Sequence, residues 1–277
     1  MRKYKIVLVA ACAALMLLPA NLLAQEEEKD MRPVRETFNG TLLGDQQTAT
    51  SPRDKGLELI IHHRFGTMEN GLTDLYGIYA PSNIRLGLSF GVTEKLMVGF
   101  GTEKNNKLQE FYAMYNILQQ TRGGSIPVGI SYYVNMAIDA RNEEVFGENY
   151  AFTNRLSYFH QIIIDRKFGD RLSVQLAPSF AHFNAVDSVW HNDYIGVSAG
   201  ARYKVFGDFS IIANYEQAFT YKAVELYQND TKPNLALGFE VGTPTHCFQL
   251  FAANYDKITP QKNLANNLND FTKGEIL

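Results

Sequence analysis

The stretch Ile126-Pro127-Val128-Gly129-Ile130-Ser131-Tyr132-Tyr133-Val134-Asn135-Met136-Ala137-Ile138 decides the fold class. Its even positions (Ile126, Val128, Ile130, Tyr132, Val134, Met136, Ile138) are all apolar, and its odd positions are small, polar or Tyr133. Successive side chains on a strand point to opposite faces, so the stretch is a strand with one greasy and one wet side. It is also long. A strand that crosses a membrane needs about 9–11 tilted residues, whereas ordinary strands average about 5–6. The stretch therefore predicts one stave of a transmembrane β-barrel.

The same alternation recurs from Gly56 onward. Leu57, Leu59 and Ile61 alternate with Glu58, His62 and Arg64 over 57–65, and Ile84, Leu86, Leu88 and Phe90 with Arg85, Gly87, Ser89 and Gly91 over 83–92. Further strands are predicted at 96–102, 109–118, 153–164, 172–183, 194–205, 209–219, 235–241 and 247–255. The facing of 109–118 is left open. Connections alternate between long (66–82, 141–150, 184–193, 220–233, 256–273) and short (93–95, 165–170, 206–208, 242–245), with 104–107 short where a long one is expected. Short periplasmic turns and long outer loops are the habit of outer-membrane barrels, which also favour even strand numbers. The last residues, Phe271 to Leu277, read as the start of a further strand. The expected fold is all-β, a transmembrane antiparallel up-and-down barrel of about 12 strands with the last one incomplete.

Upstream, Arg2, Lys3 and Lys5 precede an apolar run from Ile6 to Leu18 and a plausible cleavage site at Leu22-Leu23-Ala24. Residues 1–24 thus read as a secretory signal peptide. Val9-Ala10-Ala11-Cys12 resembles a lipobox, but the greasy run continues past it. Cleavage leaves Cys247 alone, which forbids an internal disulfide. Residues 25–55, polar and opening on Glu26-Glu27-Glu28, read as an extended periplasmic lead-in with no domain of its own, and 56–277 as the barrel. Removing the three bases of the leader leaves 23 basic against 29 acidic side chains, a net of about −6. No basic patch invites nucleic acid. The mean hydropathy of −0.19 suits a barrel, since half of each strand faces water. Fifteen Tyr and eighteen Phe beside one Trp fit aromatic girdles, as they fit other all-β cores.

Two segments carry a family likeness: Phe38-Asn39-Gly40-Thr41-Leu42-Leu43 leading to Lys55-Gly56-Leu57-Glu58 and His63-Arg64-Phe65-Gly66, then Asn83-Ile84-Arg85-Leu86-Gly87-Leu88 and Gly91-Val92-Thr93-Glu94-Lys95-Leu96. Together they resemble the bacterial DUF5777 β-barrel family, whose members have no assigned activity. The resemblance implies an outer-membrane barrel and carries over no site. It also implies a full, aromatic-ending last strand, whereas this sequence stops at Leu277.

Chemistry motifs yield to the strand reading. Gly196-Val197-Ser198-Ala199-Gly200 matches a nucleophile elbow, which needs a strained strand-to-helix turn, yet it lies inside an alternating strand. A lipid-modifying enzyme would need Ser, His and a polar orienter adjacent in space, and no catalytic residue is assigned. His62 and His63 point to opposite faces and cannot chelate one metal ion together. Gly99-Phe100-Gly101 precedes a turn, not a helix, so it is no nucleotide loop. No cofactor is expected.

Charges on the wet faces, Glu58, Arg64, Arg85, Arg155, Arg202, Lys204, Glu216 and Glu240, are expected in the lumen, paired acid to base, because a basic side chain on the lipid face costs about 2–4 kcal/mol at the midplane. In the long connection 66–82, Leu72, Leu75, Tyr76 and Tyr79 recur at helical spacing, and Pro81 stops any helix; they are expected to form a lid over the mouth. The function class that follows is a narrow or gated porin-like channel or a small-ligand-binding barrel, with a structural or binding barrel without transport, or, less favoured, an outer-membrane lipid-modifying enzyme, as the alternatives. Its expected partners are outer-membrane lipid and a small solute; the sequence names no protein partner. The architecture predicts that detergent-folded protein runs faster on a gel before boiling than after, with a β-type circular-dichroism spectrum; a helical spectrum contradicts it.

Overall fold

The structure is a computed structural model that describes residues 30–34, 36–220 and 231–276. The expected leader at 1–24 and part of the connection 220–233 lie outside the described residues. A two-residue hairpin, β1 (Leu42–Leu43) and β2 (Gln46–Gln47), comes first. Then follow β3 (Leu57–Arg64), β4 (Asn83–Gly91), β5 (Leu96–Glu103), β6 (Leu108–Leu118), β7 (Gly129–Asp139), β8 (Leu156–Phe168) and β9 (Leu172–Phe183). The sheet continues with β10 (Asp193–Phe206), β11 (Phe209–Thr220), β12 (Asn234–Gly242) and β13 (Cys247–Ala253), and a short helix α1 (Pro260–Ala265) comes after it. The eleven strands from β3 to β13 form one meander in which each pairs antiparallel with the next.

The facing matches the alternation. Leu57, Leu59 and Ile61 are 64%, 66% and 64% exposed, an outer surface suited to hydrocarbon rather than water. Ser131, Asn135, Gln161, Gln175, Ser198 and Asn214 are buried on the inner face. In β6, whose facing the sequence leaves open, Glu110, Tyr112, Met114 and Asn116 turn inward while Phe111, Tyr115 and Ile117 stay exposed. The opening stretch becomes β7 from Gly129 rather than Ile126. Pro127 has no N–H to give a ladder, and the Ile126 amide donates to Thr121 Oγ1 (2.9 Å) within a turn.

A twelfth strand is not formed by the residues expected to begin it. Phe271–Lys273 winds into a 3-10 turn, capped by Asp270, whose carboxylate accepts from the Thr272 amide (3.0 Å), and ended by Gly274 at φ 79°. With eleven up-and-down strands the first and last run in the same direction, so they cannot join by an antiparallel ladder. The sheet accordingly curls without closing: β3 and β13 share no backbone pairing. Side chains bridge the seam instead, with the Arg64 guanidinium 4.8 Å from the centre of the Phe251 ring.

Residues 37–50, read from the sequence as part of a periplasmic lead-in, occupy the inside of the sheet. Phe38 and Leu43 are fully buried beside Ile212, and the turn at Gly44-Asp45 is driven deep into the lumen. Asn214 Nδ2 donates to Leu43 O (2.5 Å), Gly44 N to Gln249 Oε1 (2.7 Å) and Gln46 Nε2 to Tyr215 O (3.0 Å). A hairpin of two residues per strand carries no readable periodicity, so composition alone marks it as a linker. Gly44 sits at φ +58°, and a Cβ there would lie 2.3 Å from Asn214 Nδ2. Gly44→Val is therefore expected to unseat the hairpin at a cost of about 1–3 kcal/mol, seen as a lower unfolding midpoint and new protease cleavage within 38–50.

Candidate functional site

Charged side chains on the inner face reach one another along the wall, over the strand that lies between them. Arg85 Nε on β4 donates to Glu110 Oε1 on β6 (2.6 Å), and Asn135 Nδ2 on β7 donates to Glu110 Oε2 (2.8 Å). Toward the short-turn end, Glu240 collects three donors: Arg202 Nε (2.6 Å), Asn39 Nδ2 (2.8 Å) and Gln249 Nε2 (2.8 Å). Arg64 pairs with Asp45 of the hairpin turn. Glu216 accepts from Asn234 Nδ2 (3.0 Å), and the Glu58 carboxylate accepts from the Thr41 amide (3.5 Å).

Six of the eight expected lumen charges thus point inward and find polar partners. Arg155 does not line the lumen. It belongs to a 3-10 turn (Phe152–Arg155) before β8, where it clamps the loop by donating Nη1 to Asp139 O (2.7 Å) and Nε to Tyr150 Oη (2.6 Å). Lys204 lies half-buried at the short-turn rim, beside the register shift between Lys204 and Phe206. The expected lid is absent as well. Leu72 and Tyr79 are 78% and 79% exposed, with Leu75 and Tyr76 exposed too. Both of the latter adopt positive φ (52° and 55°), which breaks the helical spacing they share with Leu72 and Tyr79.

The chain after β13 covers the mouth instead. It turns into the lumen from the long-loop end, and Thr259, Gln261, Leu264 and Ala265 are buried. The Thr259 amide donates to Glu103 Oε2 (3.0 Å), and Glu103 Oε1 accepts from Asn83 Nδ2 (2.7 Å). Gln261 Nε2 donates to Asn135 Oδ1 (3.2 Å) and Ser157 Oγ (3.2 Å). Helix α1 is therefore wired through Asn135 to the Arg85–Glu110 pair. Hairpin and helix meet at a cavity of only about 30 Å³, lined by Asp45, Gln47, His62, Arg85, Pro260 and Asn263 among others. That is room for about one water.

Above α1, at the long-loop end, a vestibule of about 450 Å³ opens. Its charged lining is Arg141, Arg155, Lys257 and Lys262 against Asp139 and Asp187, with Phe146, Trp190 and His191 as rings. Arg141 is held by Asp139 (2.6 Å) and Lys257 by its neighbour Asp256 (2.7 Å). Lys262 Nζ lies 4.9 Å from the centre of the Phe183 ring. Burial holds Lys262 below the ordinary lysine range, a shift that Asp139 opposes and Arg141 reinforces.

A family model described as a membrane bound beta barrel domain (DUF5777) matches residues 38–277. The chain belongs to that family. No curated protein and no solved structure matches it. The DUF5777 match begins at Phe38, a fully buried residue of the inserted segment, so nearly all of that segment falls within the family's domain. The serine of the elbow-like motif, Ser198, sits mid-strand in β10, accepting from Gln161 Nε2 (3.3 Å) and donating to Ala177 O (3.4 Å). His62 and His63 lie on opposite faces, the His63 ring lying tilted against Phe65 at 4.3 Å between ring centres.

Sequence reasoning missed Asp45, Glu103, Glu110 and Asn135. For Glu110 the signal existed: Phe111, Tyr115 and Ile117 share one parity in β6 and Glu110, Tyr112 and Asn116 the other. Truncating one partner of a buried pair strands the other charge and costs about 3–5 kcal/mol. Arg85→Met is expected to lose that much in denaturant unfolding of the micelle-folded barrel, and Arg85→Met with Glu110→Leu to recover most of it.

Proposed function

We propose that this DUF5777 barrel resides in an outer membrane, exported by its N-terminal leader, and works as a small-solute-binding barrel that is shut at rest by its own terminal segments. The long-loop end would face outward and the short turns the periplasm, as in other outer-membrane barrels. One observation carries the reading: the hairpin and α1 fill the lumen from opposite ends and leave about 30 Å³ between them. A cavity of that size has room for about one water and none for a hydrated solute. Passage, if the barrel transports, requires a plug to move, and each plug is tied to the wall by buried hydrogen bonds rather than by apolar contact alone.

The reading assigns binding and no catalysis. Its partners are lipid around the exposed apolar belt and a small solute at the mouth, with no role for nucleic acid. Planar-bilayer recording tests it. Full-length folded protein is expected to show no steady open-channel current, while Gly44→Val, which loosens the hairpin, is expected to raise the frequency of openings. Sustained ohmic conductance of the unaltered protein would contradict a shut lumen.

A further inference from the structure

We infer that the vestibule at the long-loop end is a binding site for a small anionic sugar, a pyranose bearing a phosphate or carboxylate. The inference deepens the solute-binding reading above and names its ligand class. A cavity of about 450 Å³ lies within the usual range for small-molecule sites, about 300–1,000 Å³. Four bases line it against two acids, in a chain whose formal net charge is −3. The local sign thus opposes that of the whole molecule, as a pocket for an anion requires.

Two of the four bases are not spent on carboxylates. Arg155 gives Nε and Nη1 to Tyr150 Oη and to the carbonyls of Asp139 and Arg141; its Nη2 has no partner among the described residues. Lys262 has no hydrogen-bond acceptor or carboxylate partner among the described residues, only the Phe183 ring beneath it. The three donors of this half-buried ammonium therefore remain available to an acceptor on a ligand in the vestibule. Arg and Lys together offer a planar donor edge and a point charge, the pair of geometries that carboxylate and phosphate accept.

The rings supply the second half of the recognition. Phe146 and Trp190 line the same space, and Phe146 already backs the Arg155 guanidinium at 4.9 Å. An aromatic face carries partial negative charge, which suits the weakly positive C–H faces of a pyranose ring. The apolar walls and the fixed charges thus read two ends of one ligand.

Trp190 is the single tryptophan of the chain, so its emission reports on this vestibule alone. Full-length folded protein would be titrated with glucose 6-phosphate, glucuronate, glucose and inorganic phosphate, following Trp190 fluorescence, with equilibrium dialysis of labelled glucose 6-phosphate in parallel. The charged sugars are expected to bind saturably and more tightly than glucose or phosphate, with affinity falling as salt rises. Lys262→Gln should weaken them roughly tenfold or more, and Lys262→Arg should retain binding, which separates lost charge from lost packing on Phe183. Absence of both a saturable fluorescence change and retained label overturns the site. Equal affinity for glucose removes the anion requirement, and equal affinity for inorganic phosphate removes the sugar requirement; either overturns the proposal. A conducting barrel that still binds charged sugars would defeat the shut-lumen reading and leave this site standing.

Discussion

Charge inside a narrow wall is the constraint on which the rest of this structure depends. A membrane barrel must keep its charged side chains off the lipid face, and the lumen that receives them here is too small to hydrate them freely. Each then needs a partner within the protein. Glu240 illustrates the solution. Its two oxygens accept from Arg202 on the wall, Gln249 on the next strand and Asn39 on the inserted N-terminal segment. Glu103 repeats it at the other end, held by Asn83 from the wall and by Thr259 from the segment after β13. The insertions are thus the completing partners of the wall's carboxylates, which ties folding of the barrel to its closure.

The same economy acts at the seam. Eleven antiparallel strands leave the outermost two running the same way, and no ladder joins them. Open sheet edges facing hydrocarbon are unfavourable because backbone groups there lack water. The Arg64 side chain is one link between the two edges: it lies over Phe251 and Tyr255 of the far edge while pairing with Asp45 of the hairpin. The inserted segment is the other, with Thr41 bonded to Glu58 on the first strand and Gly44 to Gln249 on the last.

The wall was legible because period-two alternation is a local property, and one membrane-facing side makes it strict. β9 spans Leu172–Phe183, the limits that its alternation predicts. The contents of the lumen were not legible, for a different physical reason. Residues 37–50 and 256–267 are specified by contacts with distant strands, and neither carries a periodic pattern of its own. A two-residue hairpin around Gly44 and a six-residue helix after Thr259 look like linkers until the wall around them is drawn. Leu72, Leu75, Tyr76 and Tyr79 show the converse error. They have helical spacing, but the backbone at Leu75 and Tyr76 turns left-handed and the greasy side chains stay outside. Arg155 and Lys204 share the inward parity but lie at strand margins, where parity no longer dictates facing.

The inserted hairpin and the segment after β13 are integral, buried parts of the folded barrel. Hydrogen–deuterium exchange of the unaltered protein, folded in detergent or lipid and read by peptide mass spectrometry, tests that burial most directly. Amides in peptides covering 41–48 and 259–266 are expected to be protected on the timescale of the strands and to exchange only with global unfolding. Exchange of those peptides at the rate of free chain, while β7 and β9 stay protected, would contradict it.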